Sequence, residues 1–473
     1  MRFIKHIMAF ILLLCLVSFT ANGAANKKKI LIYGAPDTSS GADPQSIAKN
    51  LKKLFSSSLL DKNIDVQGKV SHGSLLMEAV HHPKYRDETI KTIANGYDYV
   101  VLIDNSAHAL KYPEFHFEGI YQMSAAIKKS GAIPLLLMLW NENASDTDTY
   151  GEIAYRVGKG TDTAVIPAGY LLAEAEKSKA GLSAECVSYC IAVSVYTQIK
   201  EKEIRRGEFC PPGMGALRNS IGKTAYGVFS SHNKATHYNN SCAPKGIVRI
   251  LPVEMPRTST FRIIQTGTST EAGWKRHISP LLKAAKYSPQ ITGLRNDDPR
   301  RCFSNTDLEK AKPFFKENPD SYLISFARSY DISSEEIVGD NQKYLQCQIY
   351  DKAEPLSKKT YSLNEVSSMI FHHSQIIAKY NSAIKNNLSM IPLHIACARI
   401  YIERPDMILS EDGTHMRFPF LYMLAGMSYT ARTGKKPVTE GLDKDSVFTI
   451  NVGYKTITQL ANLSRTGSYI PER

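Results

Sequence analysis

The sequence has no low-complexity segment, no Gly-X-Y period and no sustained heptad, which excludes disordered, collagen-like and coiled-coil architectures. It carries no helix-turn-helix, finger or aromatic nucleic-acid motif, so no nucleic-acid partner is expected. Its cysteine spacings do not match a zinc site, and no metal or cofactor is expected. Gly222-Lys223-Thr224 resembles the end of a phosphate loop, but Leu217 stands where an earlier glycine is required. Past one short apolar run near the start, no stretch reaches the ~20 apolar residues that a membrane span needs. The mature chain is therefore expected to have no stable span.

What is present is an ordinary globular composition: 473 residues, 43% hydrophobic and 22% charged, enough for two or three domains. The start reads as a signal peptide over residues 1–24. Arg2 and Lys5 form a basic n-region, residues 7–19 an apolar h-region, and Ala21 and Gly23 a small-residue cleavage pattern. Leu14 is too bulky to make Cys15 a lipoprotein cysteine. The expectation is an exported protein, periplasmic or secreted. The net charge of +13 is scattered over the chain and reads as solvated surface rather than as an acidic-partner site. Seven cysteines follow the leader, an odd number, so at least one thiol is left over. Cys210 and Cys242 sit in loop-like sequence and could pair. Cys186 and Cys190, four apart on a helix, are expected to share a face without bonding to each other.

Self-similarity organises the rest. Residues 30–36 (ILIYGAP) and 263–269 (IIQTGTS) are short apolar strands ending in glycine, 233 residues apart. Residues 188–197 resemble residues 421–430 at the same offset. Residues 99–103 parallel 322–326, and 165–167 parallel 390–392, at slightly smaller offsets. These spacings predict one unit over 27–243, a second over 258–473, and a join around 244–260. Strands are expected at 29–33, 99–103 and 133–140, with helices at 44–56 and 121–129. Ile47, Leu51 and Leu54 share one face of the first helix. The nearly all-apolar strands imply a parallel sheet covered on both sides. The fold class is α/β: two tandem doubly wound, flavodoxin-like three-layer α/β/α units. In such sheets, reactive groups gather at the carboxyl ends of strands.

Three residues of the second unit suit nucleophilic catalysis. Ser269 follows the strand 261–265 in the turn Gly267-Thr268-Ser269, and Gly267 lets the backbone pass close to a substrate. A serine needs a base to take its proton, and His415 can supply one. Asp412, three residues earlier, can accept the imidazole proton and hold the ring. The chain order is Ser, Asp, His.

These residues resemble the SGNH (GDSL-like) hydrolase superfamily, where a Gly-x-Ser block carries the nucleophile and an Asp-x-x-His block the other two. The stretch 412–437, from Asp412-Gly-Thr-His415 to Thr433-Gly-Lys-Lys-Pro437, resembles the end of such domains. The resemblance spans roughly 27–200 and 261–437. It implies an SGNH-type serine esterase acting on acyl or acetyl esters, often on sugars or lipids. It also implies a glycine and an asparagine as oxyanion donors, and here the sequence departs. Ala327-Arg328-Ser329-Tyr330-Asp331 follows the third strand of the second unit without asparagine. Asn296, near the end of the second strand, is the candidate donor beside Gly267, with Arg328 or backbone N–H groups as substitutes. Losing one such donor costs ~10²–10³ in rate. In the first unit the triad positions hold Pro36, Lys179 and Leu182; Ser39 and Ser40 lie nearby without an Asp-x-x-His, and Asn105 has no nucleophile to serve. That unit reads as a degenerate copy with a structural or carbohydrate-binding role.

Other candidates carry less. His81-His82 and His372-His373 lack partners at ligand spacing and read as surface or packing residues. Trp274 could line a sugar site or pack in the core. Asp297-Asp298 reads as a solvated turn. The function expected is an exported esterase using a small-molecule or polysaccharide ester through an acyl-enzyme on Ser269. The alternative is a non-catalytic carbohydrate-binding or surface protein built from two decayed SGNH folds.

Overall fold

The computed structural model describes residues 27–37, 41–58, 63–73, 75–111, 113–139, 144–178, 182–204, 208–212, 214–234, 260–267, 269–295, 313, 316–317, 322–325, 344–347, 389–411 and 416–464. The leader expected over residues 1–24 lies outside them. No described helix is long and apolar enough to cross a membrane.

The chain alternates strands and helices. The first half runs β1 (Lys28–Gly34), α1 (Pro44–Ser57), β2 (Ile64–Val70), α2 (Leu76–His81), α3 (Pro83–Ile93), β3 (Tyr99–Ile103), α4 (Ser106–Lys111), α5 (Pro113–Lys129), β4 (Ile133–Leu137), α6 (Ala144–Thr161), β5 (Ala164–Ile166), α7 (Ala168–Ser178), α8 (Ala184–Lys200) and α9 (Gly215–Lys234). The described part of the second half runs β6 (Thr260–Gly267), α10 (Ser269–Ala284), β7 (Ser288–Arg295), β8 (Tyr322–Ser325), β9 (Tyr344–Cys347), β10 (Ser389–Ile391), α11 (Leu393–Glu403), α12 (Phe418–Thr433) and α13 (Lys444–Ser464).

The strands form two five-stranded sheets, ordered β2-β1-β3-β4-β5 and β10-β9-β8-β6-β7. Among the described residues every strand pairing in both is parallel. Counted from its own first strand, each sheet has the order 2-1-3-4-5. This is an α/β fold of the flavodoxin-like kind, doubly wound because the chain leaves its first strand in one direction and returns in the other. Right-handed crossovers then put helices on both faces. The contacts agree: α1 packs on α8, while α5 packs on α2, α3 and α6. Strand β1 shows why the sheet must be covered twice, since Ile30, Leu31, Ile32 and Tyr33 are all buried in sequence.

Local chemistry sets the element ends. Asp43 caps α1 by accepting the Ser46 N–H at 2.8 Å, and Pro44 occupies the first turn, where its missing N–H costs nothing. Ile47, Leu51 and Leu54 face the core as their spacing predicts. Gly34 closes β1 because any Cβ there would collide with the Ile103 carbonyl of β3. Gly434 ends α12 in the left-handed conformation at φ 68°, its N–H bonded to the Thr430 carbonyl. Two elements differ from expectation. Helix α5 starts at Pro113, eight residues earlier than the sequence pattern indicates, because residues 115–120 are buried on all sides and show no polar face. Strand β4 ends at Leu137, short of residue 140; Met138 and Leu139 stay buried beyond it.

Candidate functional site

At the second sheet's carboxyl edge, β6 ends at Gly267 and Ser269 is the first residue of α10. Gly267 is in register with Arg295, the last residue of β7. The two strands therefore end at the same level. Further along, Ser410 and Met416 form an antiparallel bridge, and the Arg417 N–H donates to the Leu409 carbonyl at 2.9 Å. These bonds involve the described residues on either side of positions 412–415, directly before α12, and α12 packs on α10. Asn296, Asp412 and His415 themselves lie outside the described residues, as do Arg328, Asp297, Asp298, His372 and His373.

The first sheet's carboxyl edge is filled with buried polar side chains. The Ser106 hydroxyl donates to Asp37 Oδ2 at 2.7 Å. Asp104, at the end of β3, accepts the Leu76 and Asn105 N–H groups on Oδ1, each at 3.0 Å, and the His116 Nδ1–H on Oδ2 at 2.7 Å. One carboxylate thus caps α2 and anchors α5. Asp37, Asp104, Ser106 and His116 are all buried. Burial, reinforced by the charges of Asp104 and Asp37, pushes the nearby Tyr150 hydroxyl well above its usual range.

A third cluster joins the two halves. Glu118 of α5 is fully buried and accepts on Oε2 from Arg399 Nε at 2.9 Å and Nη2 at 2.7 Å. Its Oε1 accepts from His81 Nε2 at 3.2 Å and Gln122 Nε2 at 2.9 Å. Arg399 Nη1 donates to Thr456 Oγ1 at 3.2 Å and Gln459 Oε1 at 2.8 Å, both on α13. Its guanidinium also lies over the Tyr121 ring, 4.7 Å from the centroid. Burial by itself would raise the Glu118 carboxyl, but Arg399 and His81 outweigh it and hold the group at about 2. His394 lies alongside, edge-on to Phe115, and burial pushes its imidazole down to about 3.

Several residues singled out from sequence take definite places. Trp274 does not line a sugar site. It is fully buried, and its indole N–H donates to Ser428 Oγ at 3.1 Å between α10 and α12, which corrects the platform reading in favour of packing. His81 packs in the core against Glu118, a carboxylate 37 residues away that local spacing could not reveal. Gly222, Lys223 and Thr224 lie inside α9, not in a loop. Cys186 and Cys190 are buried on α8 without a disulfide between them, and the hydrogen bond with Cys186, reinforced by burial, raises the Cys190 thiol. Cys242 lies outside the described residues. Among the described residues, no group of three or more His, Cys, Asp and Glu side chains is arranged to hold a metal ion.

Sequence reasoning missed Asp37, Asp104, Ser106, His116 and the Glu118–Arg399 pair. One signal was available: Glu114, His116 and Glu118 interrupt an apolar run at every second position. A helix with no polar face must bury such groups, and buried ones need partners.

No protein-family model and no curated protein matches the chain. Among solved structures, it is similar to a DUF4886 family protein from Bacteroides uniformis, at 13% identity over 45% of this chain and 98% of that one, with a TM-score of 0.33. A candidate SGNH hydrolase from Slackia heliotrinireducens aligns at 17% identity over 37% of this chain and all of its own, with a TM-score of 0.30. An acetylxylan esterase from Geobacillus stearothermophilus aligns at 16% identity over 38% and 96%, also with a TM-score of 0.30.

Proposed function

We propose that the chain is an exported serine hydrolase of the SGNH kind that cleaves acyl or acetyl esters, with carbohydrate esters as the favoured class, through an acyl-enzyme on Ser269. We assign it two units, 27–243 and 258–473, after a leader over 1–24; the first unit is non-catalytic. The identical strand order of the two sheets supports that division.

The observation that carries the reading is the register of Gly267 with Arg295. It supports a site in which the turn to Ser269 and the departure to Asn296 share one carboxyl edge. There, His415 takes the Ser269 proton as the hydroxyl attacks the ester carbonyl. Asp412 holds the imidazole and stabilises its cation. Backbone N–H groups near Gly267, with the Asn296 amide, receive the oxyanion. His415 then protonates the leaving alcohol, and water releases the acyl group by the same route in reverse. In the first unit, the Asp37–Ser106 and Asp104–His116 bonds occupy the corresponding edge and support a scaffold role.

The test is labelling by a fluorophosphonate. The wild type is expected to label, and Ser269→Ala and His415→Ala are expected not to. Labelling that persists in Ser269→Ala removes that serine from the mechanism; a wild type that never labels leaves the carbohydrate-binding reading in its place.

A further inference from the structure

We propose that Cys210 is an oxidation site that closes a disulfide with Cys186 of α8, taking its oxidising equivalents from a low-molecular-weight disulfide.

Three thiols meet at this helix. Cys186 and Cys190 are 5% and 0% exposed, and their sulfurs are in hydrogen-bond contact. Cys210 is half-buried and packs against the same core, and none of the three carries a disulfide. The segment that bears Cys210 is fastened along α8. The Tyr196 hydroxyl donates to Glu208 Oε1 at 2.9 Å, and the Tyr189 hydroxyl donates to the Phe209 carbonyl at 3.1 Å. The Phe209 N–H donates to Ser57 Oγ at 2.7 Å, and its ring stands edge-on to Tyr189, 6.1 Å between centroids. From Glu208 to Phe209 the chain therefore steps along α8 from Tyr196 toward Tyr189, and Cys210 comes next. Positions 186, 189 and 190 share one side of the helix. Cys210 is also close enough to Cys190 for its charge to act there.

Helix geometry decides which sulfurs can join. Side chains four apart on a helix have Cβ atoms about 5–6 Å apart, whereas a disulfide needs about 4 Å. Cys186 and Cys190 therefore do not bond to each other while α8 is intact, and a partner must come from outside the helix. Cys190 donates its S–H to Cys186, and that bond, reinforced by burial, holds the Cys190 proton well above the ordinary thiol range. Cys186 is the acceptor of the bond, so its sulfur is the one prepared to react as thiolate.

The exchange runs in two displacements. The Cys210 thiolate, the most accessible of the three, attacks the reagent disulfide and expels one thiolate, leaving a mixed disulfide on Cys210. The Cys186 thiolate then attacks Cys210 Sγ and expels the second. Each step breaks one S–S bond and forms one. The two protein thiols are oxidised by two electrons, the reagent is reduced to two thiols, and the two protons released pass to them.

The experiment treats the full-length wild type with glutathione disulfide, alkylates it with iodoacetamide in the absence of reductant, and maps the peptides by mass spectrometry. Chymotryptic cleavage after Tyr189 separates Cys186 from Cys190. The expected product is a peptide pair joining Cys186 to Cys210, lighter than its two parts by two hydrogens and split by reductant, with Cys190 alkylated only after denaturation. Cys190→Ala should still form the link, and Cys210→Ser should leave Cys186 unlinked. A Cys210 that stays reduced or keeps the glutathione overturns the inference. So does a Cys210 joined to Cys190, Cys242 or any thiol other than Cys186, or a link that forms only in the denatured chain. The wild-type map decides alone if a variant does not fold.

Discussion

The two sheets share a strand order, and their carboxyl edges are put to different use. At the first, β1 runs on to Asp37 and β3 to Asp104, and both carboxylates are spent on neighbours: Asp37 on the Ser106 hydroxyl, Asp104 on His116 and two backbone N–H groups. At the second, β6 runs into a helix that opens with Ser269, and the segment before α12 brings an aspartate and a histidine. The same topology supports a sealed edge and a candidate reactive one. At the first edge the polar groups at the strand ends find their partners inside the fold.

The sharpest contrast is between the two edge serines. Ser269→Ala is expected to lower ester hydrolysis by an amount on the order of 10⁶-fold, as for other activated serines. Ser106→Ala should leave turnover unchanged, because that hydroxyl is committed to Asp37. Comparable losses in both would erase the distinction between the edges; initial rates on an acetylated oligosaccharide decide it.

Next in size is the joint between the halves. Glu118→Gln leaves the Arg399 cation buried without its counter-ion, which should cost about 3–5 kcal/mol, read as a lowered urea midpoint. Replacing both partners by methionine should restore much of that loss, since an apolar pair of similar volume needs no desolvation. A single variant as stable as wild type would mean that the two sheets hold together without this pair.

Acidification probes the joint in a smaller step. Glu118 ordinarily titrates near 4.5 and is held at about 2; His394 ordinarily titrates near 6.5 and is held at about 3. Both folded values lie below the unfolded ones, so the folded chain binds fewer protons. Stability from each group is complete above its unfolded value and is lost as pH falls, between 6.5 and 3 for His394 and between 4.5 and 2 for Glu118. Each contributes at most about 1.4 kcal/mol per pH unit. Comparing urea midpoints at pH 7 and pH 5 should show a shallower decline in His394→Phe than in wild type; parallel declines would exclude His394 as the source.

The smallest effect concerns helix ends. Helix α8 closes with Glu201 at φ 53°, and α12 closes 233 residues later with Gly434 at φ 68°. Glutamate in a left-handed conformation carries a steric cost that glycine does not. Glu201→Gly should therefore stabilise the first half by about 1 kcal/mol in thermal melts, and Gly434→Ala should destabilise the second by a similar amount.

The sequence made the sheets legible and left the polar interior obscure, for a physical reason. Apolar runs such as residues 30–33 and 99–103 announce a doubly covered strand because every residue must be buried. Asp43-Pro44 announces a helix start because capping is local. The Glu118–Arg399 pair spans 281 residues, and no periodicity links them. Trp274 shows the limit from the other side: an aromatic five residues past a candidate nucleophile fits a sugar platform or a core equally well. Only its fully buried position and its bond to Ser428 separate the two. The serine, aspartate and histidine are proposed through motif and order alone, which is chemistry written locally rather than packing written at a distance.

The bond between Glu118 and Arg399 bears on how the molecule can be divided. Expressing residues 258–473 alone would strip Arg399 of its carboxylate and bare the surfaces of α11 and α13 that α5 and Tyr121 now cover. Such a fragment would carry every candidate reactive side chain without the buried ion pair that joins α5 to α11. The two halves are joined by a buried ion pair, so cutting the chain between them exposes a charge that the fold now keeps from water.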